Sequence, residues 1–170
     1  ARAARQMGLE ALTLYAFSSE NWRRPEEEVS DLMGLLRHFI VADLDEFDRE
    51  NVRLRVIGDY ARLPKDVVQL VDDAIARTVG NTGSTLVVAL NYGAQDEIVR
   101  AVRALAEDTK AGTISPDTID IEAISTRLDT ADLPPLDLII RTSGEVRLSN
   151  FLLWQAAYAE LYFTDTLWPD

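Results

Sequence analysis

Short polar and basic segments follow three apolar stretches of the chain, and their residue types suit the binding of a phosphate group. Ser18–Pro25 holds two serines, an asparagine, a tryptophan and two arginines. Asn91–Gly93 follows a second apolar stretch, and Arg141–Ser149 supplies two more arginines with further hydroxyl groups. Arginine offers a planar fork of N–H donors, and hydroxyl and backbone N–H groups add short donors. The pattern therefore predicts an anion site.

Arg141 is the most informative of these residues because it directly continues the apolar run Leu138–Ile140. A guanidinium at that point projects from a sheet edge into a partly buried crevice, where an unpaired charge is costly. Single residues also have ordinary interpretations: Arg24 as a surface cation, or Glu145 as an ion-pair partner of Arg147. Arginines, hydroxyls and amides occur together at several predicted strand ends, and this favours the anion site.

Length and composition limit the class of protein. A chain of 170 residues, 47% of them hydrophobic, predicts one domain spanning 1–170. The net charge of −12 repels nucleic acid, so no nucleic-acid partner is expected. The absence of cysteine and the single histidine exclude disulfides, thiolate chemistry and multi-histidine zinc sites. The apolar runs are too short to span a bilayer and there is no signal peptide, which favours a cytoplasmic location.

Apolar runs alternate with amphipathic helical patterns along the chain. Strands are predicted at Ala11–Phe17, Val52–Val56, Thr85–Tyr92, Leu136–Ile140 and Leu161–Phe163. Helices are predicted from Pro25 to Phe47 and at Lys65–Val79, Asp96–Ala111, Pro116–Leu128 and Asn150–Tyr158. In the helix at Asp96–Ala111 the expected inward residues are Ile98, Val99, Val102 and Leu105. This order predicts an α/β fold, a single parallel sheet in a three-layer sandwich with helices on both faces.

Four segments carry a family resemblance. They are LTLYAFSSENWRRP at 12–25, RLRVIGD at 53–59, LNYG at 90–93 and DLIIRTSGEVRLSNFLLWQAAYAELYFTDTLWPD at 137–170. In this order they resemble the cis-prenyltransferases, the undecaprenyl diphosphate synthase family. The resemblance implies an enzyme that condenses isopentenyl diphosphate onto an allylic prenyl diphosphate with cis geometry. Its product is a polyprenyl diphosphate, the undecaprenyl carrier lipid precursor of the bacterial cell wall, and its cofactor is Mg²⁺.

The resemblance also implies roles for individual residues. Three match positions that grip the diphosphate of isopentenyl diphosphate: Arg141, Arg147 and Ser149. Four match a mobile loop that organises both substrates and assists proton loss, with the asparagine as the catalytic residue: Ser18, Asn21, Trp22 and Arg24. Glu160 matches the acidic position associated with magnesium.

A tunnel for the growing apolar chain is the second requirement of such an enzyme. Leu86, Val88 and Leu90 alternate on one face of a strand and are expected to line it, although the same spacing fits a filled core. The resemblance further implies a homodimer, with the segment Tyr158–Asp170 contributing to the subunit contact and to the neighbouring site. The lipid product implies peripheral contact with a membrane.

The sequence departs from the family pattern in two places. The N-terminal strand of the family and its DGNGRWA-type loop, which supplies an aspartate and a cradle for the allylic diphosphate, are absent from the 170 residues. We therefore expect this stretch to be inactive by itself. The common NYGGR pattern is replaced by NYGAQ, so that Gln95 stands in place of a basic residue.

Two other interpretations remain open. A non-catalytic accessory relative of the same family would lose the loop and the Asn–Trp segment, whereas Ser18–Trp22 is intact here. A flavodoxin-like or nucleotide-binding domain would need a glycine-rich loop after a strand, and the sequence has none.

Overall fold

The structure, a computed structural model, describes residues 6–168 and divides the chain into two compact units, with the boundary in the chain between Tyr92 and Gly93. Each unit has its own parallel sheet, so the predicted parallel α/β class is confirmed. The described strands form two hydrogen-bonded sheets, of three and two strands, where a single sheet was expected.

The first unit contains the three-stranded sheet. Its strands are β1 (Ala11–Ser18), β2 (Arg53–Ile57) and β3 (Thr85–Tyr92), in the order β1-β3-β2. Two helices follow the first two strands, α1 (Glu26–Arg49) and α2 (Lys65–Thr78). Short 3-10 turns at Ser19–Arg23 and Tyr60–Arg62 lie at the carboxyl ends of β1 and β2.

The central strand β3 lies in the core of this unit. Its sequence TLVVALNY is apolar on both faces, and only Thr85 and Val88 are more than marginally accessible. Helices α1 and α2 pack on the sheet through two apolar clusters, one around Leu90 and Met33 and one around Leu86 and Leu54. Continuous burial of this kind is typical of a parallel strand covered on both faces.

Gly58 ends β2 and brings its following loop against β3. Its φ of 100° lies in the left-handed region, and an added Cβ would lie 2.2 Å from the carbonyl oxygen of Leu90. Only glycine permits this approach. The backbone of Asp59 consequently reaches the end of the central strand.

The second unit contains a parallel pair of strands, β4 (Leu138–Arg141) and β5 (Glu160–Phe163). Its helices are α3 (Ala94–Lys110) and the single-turn α4 (Ile121–Ser125). The predicted helix at 116–128 is thus reduced to a 3-10 turn at Pro116–Thr118 and to α4. None of the described helices in either unit combines the length and the apolar character needed to cross a membrane.

Two sequence predictions in this unit are wrong. The inward face of α3 is formed by Ala94, Glu97, Ala101 and Leu105, whereas Val99 and Val102 are about half exposed. The predicted helix at 150–158 is only a 3-10 turn at Gln155–Tyr158, because Asn150 and Leu152 have φ values of 61° and 46°. Residues in the left-handed region cannot continue a right-handed helix.

Candidate active site

In the first unit, the turn Ser19–Arg23 follows β1 and contains Asn21 and Trp22, while Ser18 and Arg24 flank it. The backbone N–H of Ser18 donates to Oδ1 of Asn21 at 2.8 Å, which fixes the asparagine amide at the end of the strand. The Trp22 ring lies edge-to-face on the buried ring of Phe17, with 5.1 Å between centroids. Three of the predicted loop residues, Ser18, Asn21 and Trp22, are therefore held together.

Asn91 connects this turn to the loop that follows β2. Its Oδ1 accepts a hydrogen bond from Nε1 of Trp22 at 2.8 Å, and its Nδ2 donates to the carbonyl of Asp59 at 2.7 Å. The backbone N–H of Asp59 donates in return to the Asn91 carbonyl at 3.2 Å. The carboxyl ends of β1, β2 and β3 thus share one hydrogen-bonded edge, the location at which open parallel sheets bind ligands.

The charged groups at this edge are exposed and partly neutralised. Arg24 pairs with Glu28 at 3.3 Å across one turn of helix, and Arg62 pairs with Asp59 at 2.9 Å. Tyr60 donates to Asp72 at 3.0 Å, and partial burial together with this carboxylate raises the pKa of its phenol above the ordinary 10.0. Because a surface ion pair is weak, an incoming phosphate can compete with Glu28 for the Arg24 guanidinium.

In the second unit, Arg141 ends β4 and lies partly buried. Its carbonyl accepts from the backbone N–H of Thr164 at 3.0 Å. The next residues are also tied to the segment after β5, since Ser143 donates to Thr166 at 2.9 Å and Gly144 to Thr164 at 3.0 Å. The loop after β4 therefore begins from a fixed backbone.

The remainder of this loop concentrates unusual backbone conformations. Ser143, Ser149, Asn150 and Leu152 all have positive φ values. Residues other than glycine rarely adopt such backbone conformations. Where they do, the positions cluster at functional sites whose surroundings enforce the conformation. Arg147 forms an ion pair with Glu145, as the sequence allowed.

Asn150 holds the backbone in place on one side of Ser149. Its backbone carbonyl accepts from the N–H of Ala94 at 2.8 Å, and its Oδ1 accepts from the N–H of Gln95 at 2.9 Å. These are the first N–H groups of α3, which have no acceptor within the helix itself. The cap fixes the residue adjacent to Ser149.

A buried carboxylate holds the continuation of this loop. Glu97, only 1% exposed, accepts from the backbone N–H of Asp129 at 2.9 Å and from Nε2 of Gln155 at 3.1 Å. Gln155 also donates to Oγ1 of Thr130 at 2.9 Å, while its buried Oε1 has no hydrogen-bond partner among residues 6–168. The cluster anchors the 3-10 turn before β5 to helix α3.

Comparison with known proteins agrees with this arrangement. The family model "Putative undecaprenyl diphosphate synthase" matches residues 1–170. The chain belongs to the undecaprenyl diphosphate synthase family. It is 61% identical over 169 residues to the isoprenyl transferase of Zymomonas mobilis, covering 99% of this chain and 68% of the relative.

Further relatives extend the comparison. The ditrans,polycis-undecaprenyl-diphosphate synthase of Escherichia coli, specific for (2E,6E)-farnesyl diphosphate, is 53% identical over 163 residues, or 96% of this chain and 64% of that protein. Lavandulyl diphosphate synthase from Lavandula x intermedia, solved with dimethylallyl diphosphate, superposes with a TM-score of 0.95. It is 35% identical, with 99% of this chain and 73% of that chain covered. The chain thus spans about two thirds of the length of its curated relatives. These relatives identify it as part of a prenyl-transferring enzyme.

Among the site residues expected for a cis-prenyltransferase, Arg141 ends β4 in the second unit, and Arg147 and Ser149 lie on the loop after it. Glu160 lies at the other end of its sheet, because the parallel register places it opposite Leu138, three residues before Arg141. At about 3.3 Å per residue, this separates the two positions by roughly 10 Å along the strands.

Glu160 is the residue of this chain that is expected to bind a metal. Residues 6–168 contain no group of three or more histidine or acidic side chains placed to hold one. Mg²⁺ commonly binds through one or two carboxylates, with phosphate oxygens and waters completing its shell. Glu160, exposed at the start of β5, fits as a single protein ligand when a diphosphate supplies the others.

The expected tunnel residues lie in well-packed surroundings. Leu86 and Leu90 are almost completely buried in the two apolar clusters between the sheet and α1 and α2, and Val88 packs against both clusters. This describes a filled core on that face of β3. Their role as a tunnel wall stays a prediction.

Sequence reasoning missed three residues that hold the loops, Glu97, Asn150 and Gln155, and it placed Asn91 at the anion site without a role in holding a loop. A signal existed for the asparagines, since an asparagine at the end of a strand or beside a serine tolerates left-handed backbone. The position of Glu97 was also readable, because it falls between Ala94 and Ala101 at helical spacing. Its hydrogen-bond partners, 32 and 58 residues further along the chain, were not.

Proposed function

We propose that the protein containing this chain condenses isopentenyl diphosphate onto an allylic prenyl diphosphate with cis geometry, and that it makes the undecaprenyl carrier lipid precursor. The observation that carries this proposal is the loop after β4, in which Arg141, Arg147 and Ser149 follow a strand end with a constrained backbone. Two guanidinium groups and a hydroxyl on one short loop are the donor set that a diphosphate requires.

The chemistry needs anion stabilisation and positioning. The allylic C–O bond breaks and diphosphate leaves with the electron pair, while the π electrons of isopentenyl diphosphate form the new C–C bond. The resulting carbocation then loses a proton from C2 to a diphosphate oxygen, and the electrons of that C–H bond form the new double bond. Arg141 and Arg147 hold the diphosphate of isopentenyl diphosphate in place, and fixed donors of this kind stabilise charge without reorganisation. Asn21, whose Oδ1 is fixed by the N–H of Ser18, orients substrate beside the departing proton.

Magnesium is part of the proposal. When bound, Mg²⁺ would neutralise diphosphate charge, with Glu160 as its ligand from this chain. Trp22 contributes a ring edge from the turn after β1, and Arg24, which follows that turn, contributes a guanidinium. The guanidinium of Arg24 would exchange Glu28 for a phosphate oxygen.

Activity is tested with a chimaera in which the N-terminal segment of the Zymomonas mobilis relative precedes this chain. We expect the chimaera to form polyprenyl diphosphates from radiolabelled isopentenyl diphosphate and farnesyl diphosphate, and the 170 residues alone to form none. Turnover by the 170 residues alone would overturn our expectation that they are inactive. A folded chimaera that binds both substrates without turnover would favour the accessory-subunit alternative.

The diphosphate assignment is tested with Arg141→Ala in the chimaera. Charge-assisted hydrogen bonds contribute about 1.5–3 kcal/mol each, so the KM for isopentenyl diphosphate should rise at least tenfold. Arg103→Ala, which removes an exposed arginine of α3 in the same unit, is the matched control and should leave KM unchanged. Equal KM values for the two variants would refute the assignment.

The tunnel assignment is tested by product length. Leu86→Ala in the chimaera should lengthen or broaden the products by removing bulk from β3. Leu54→Ala is the control, because Leu54 belongs to the same cluster and is equally buried, at 6% exposure. If both variants keep the product distribution of the unaltered chimaera, β3 does not set chain length.

Assembly and location complete the proposal. A single domain is supported by a family match that runs through both units. A homodimer through Tyr158–Asp170 is supported by exposed aromatic residues, since Tyr158 is fully exposed and Trp168 is 69% exposed; Pro169 and Asp170 lie outside the described residues. The proposed location is cytoplasmic, with peripheral membrane contact through the lipid product.

A further inference from the structure

Asn91 combines three unusual features at the end of the central strand. Its φ is 48°, it is only 7% exposed, and both ends of its amide are hydrogen-bonded to different loops. A buried amide is costly unless its bonds are made. Asparagine adopts left-handed backbone more readily than other residues with a Cβ, so the conformation and the bridge can be satisfied together.

The bridge controls the orientation of an otherwise exposed ring. Trp22 is 42% exposed, and its ring contacts Phe17 of β1 edge-to-face. The bond from its indole N–H to Asn91 selects one ring orientation. Because Trp22 directly follows Asn21 in a five-residue turn, the same bond also constrains the predicted catalytic amide.

The bridge is anchored on the other side by backbone. Nδ2 of Asn91 donates to the carbonyl of Asp59, and the N–H of Asp59 donates back to the Asn91 carbonyl. Asp59 in turn follows Gly58, whose missing Cβ allows the loop to approach β3. Through Asn91, the indole is therefore held against the backbone at the end of the sheet.

We propose that Asn91 is a positioning residue that holds the turn Ser19–Arg23 in its reactive orientation by acting through the indole of Trp22. This inference rests on the proposed function. Asn91 lies at the end of β3, whereas the predicted residues of this loop lie at or after the end of β1.

Kinetics of the chimaera test the proposal. Asn91→Gly keeps the left-handed backbone but removes both side-chain bonds, and kcat/KM should fall about five- to tenfold, the scale of one lost hydrogen bond. Trp22→Phe should cause a loss of at least this size, and adding Asn91→Gly to it should cause no further loss. Asn51→Gly is the matched control, since Asn51 has a φ of 54° and its side chain bonds Thr82 where β2 and β3 begin, at the other end of the sheet from the turn, and kcat/KM should not change.

The contact itself is tested on the 170-residue chain by the indole N–H signals of its three tryptophans in an NMR spectrum. Asn91→Gly should shift the Trp22 signal and speed its exchange with solvent, whereas the Trp154 signal, bonded to Ser125, should stay in place. Asn91→Asp retains an acceptor for the indole N–H but replaces the donor to the Asp59 carbonyl with a carboxylate oxygen, so the Trp22 N–H should still exchange slowly although kcat/KM falls.

The outcomes separate this inference from the proposed function. An unaltered chimaera without prenyl transfer would refute the function, while the indole signals would still report on the bridge. With an active chimaera, the inference is overturned if the losses of Asn91→Gly and Trp22→Phe multiply in the double variant. It is equally overturned if the Trp22 indole N–H exchanges with solvent as fast in Asn91→Asp as in Asn91→Gly.

Discussion

The loops after β1 and β4 both carry residues matched to substrate binding, but different interactions hold them. The loop after β1 rests on a sheet whose central strand is buried along nearly its whole length, and a buried amide, Asn91, fixes it. The loop after β4 rests on two strands whose apolar side chains are largely exposed, including Leu138 at 45% and Ile140 at 60%. Its geometry depends on polar anchors, chiefly Asn150 and Glu97.

The difference indicates how each region should respond to change. Where apolar burial dominates, stability follows the volume and fit of side chains. Where buried polar groups dominate, stability follows whether each donor and acceptor keeps its partner. Three predictions, from the largest effect to the smallest, test this contrast on the 170-residue chain.

Matched leucines on edge strands should give the largest difference. Leu54→Ala on β2 removes a side chain that is 6% exposed and should lower the free energy of unfolding by about 2–5 kcal/mol. Leu138→Ala on β4 should lower it by less than about 1 kcal/mol, because that side chain already contacts solvent. Urea unfolding followed by circular dichroism measures both. Equal losses would mean that the β4 face is covered in solution.

The polar anchor of the second unit gives the next largest effect. Glu97→Ala leaves the N–H of Asp129 and the amide of Gln155 without their shared acceptor, and should lower the free energy of unfolding by about 2–3 kcal/mol. Glu107→Ala, at an exposed position of the same helix, is the control and should have little effect. If the two variants unfold at the same urea concentration, the carboxylate does not anchor the loop.

The smallest effect is expected at a surface ion pair of the first unit. Arg37 donates to Asp66 at 2.6 Å, and this bond lowers the pKa of Asp66 below its ordinary 3.8. The resulting stabilisation is present above pH 3.8 and is lost as the pH falls through the lowered pKa of the folded state. Melting temperatures of Asp66→Asn should therefore lie slightly below those of the unaltered chain near pH 6 and converge with them near pH 2.

Asp31 is an exposed residue of α1, and Asp31→Asn is the control for this titration. Its melting temperature should equal that of the unaltered chain at both pH values. A constant difference between Asp66→Asn and the unaltered chain from pH 6 to pH 2 would contradict the assignment. The lost interaction would then not depend on the ionised carboxylate.

Strands and most helices were predictable because their signals are local. The predicted strand at Thr85–Tyr92 has the bounds of β3, and the predicted helix at Lys65–Val79 ends one residue after α2. The predicted helix at 150–158 failed because composition and spacing do not report φ at Asn150 and Leu152. The inward face of α3 was misplaced because apolar Val99 and Val102 were weighted above Glu97, which the fold buries.

The sequence by itself determined the strand and helix order, the types of donor at each strand end and the family, since these depend on neighbouring residues. Only the tertiary structure decided that Trp22 meets Asn91 across 69 positions, and that the register of β4 and β5 sets Glu160 away from Arg141. Hydrogen-bond partners and strand register depend on which distant segments the chain brings together. No local pattern encodes that choice, because the same residues would satisfy the same propensities with other neighbours.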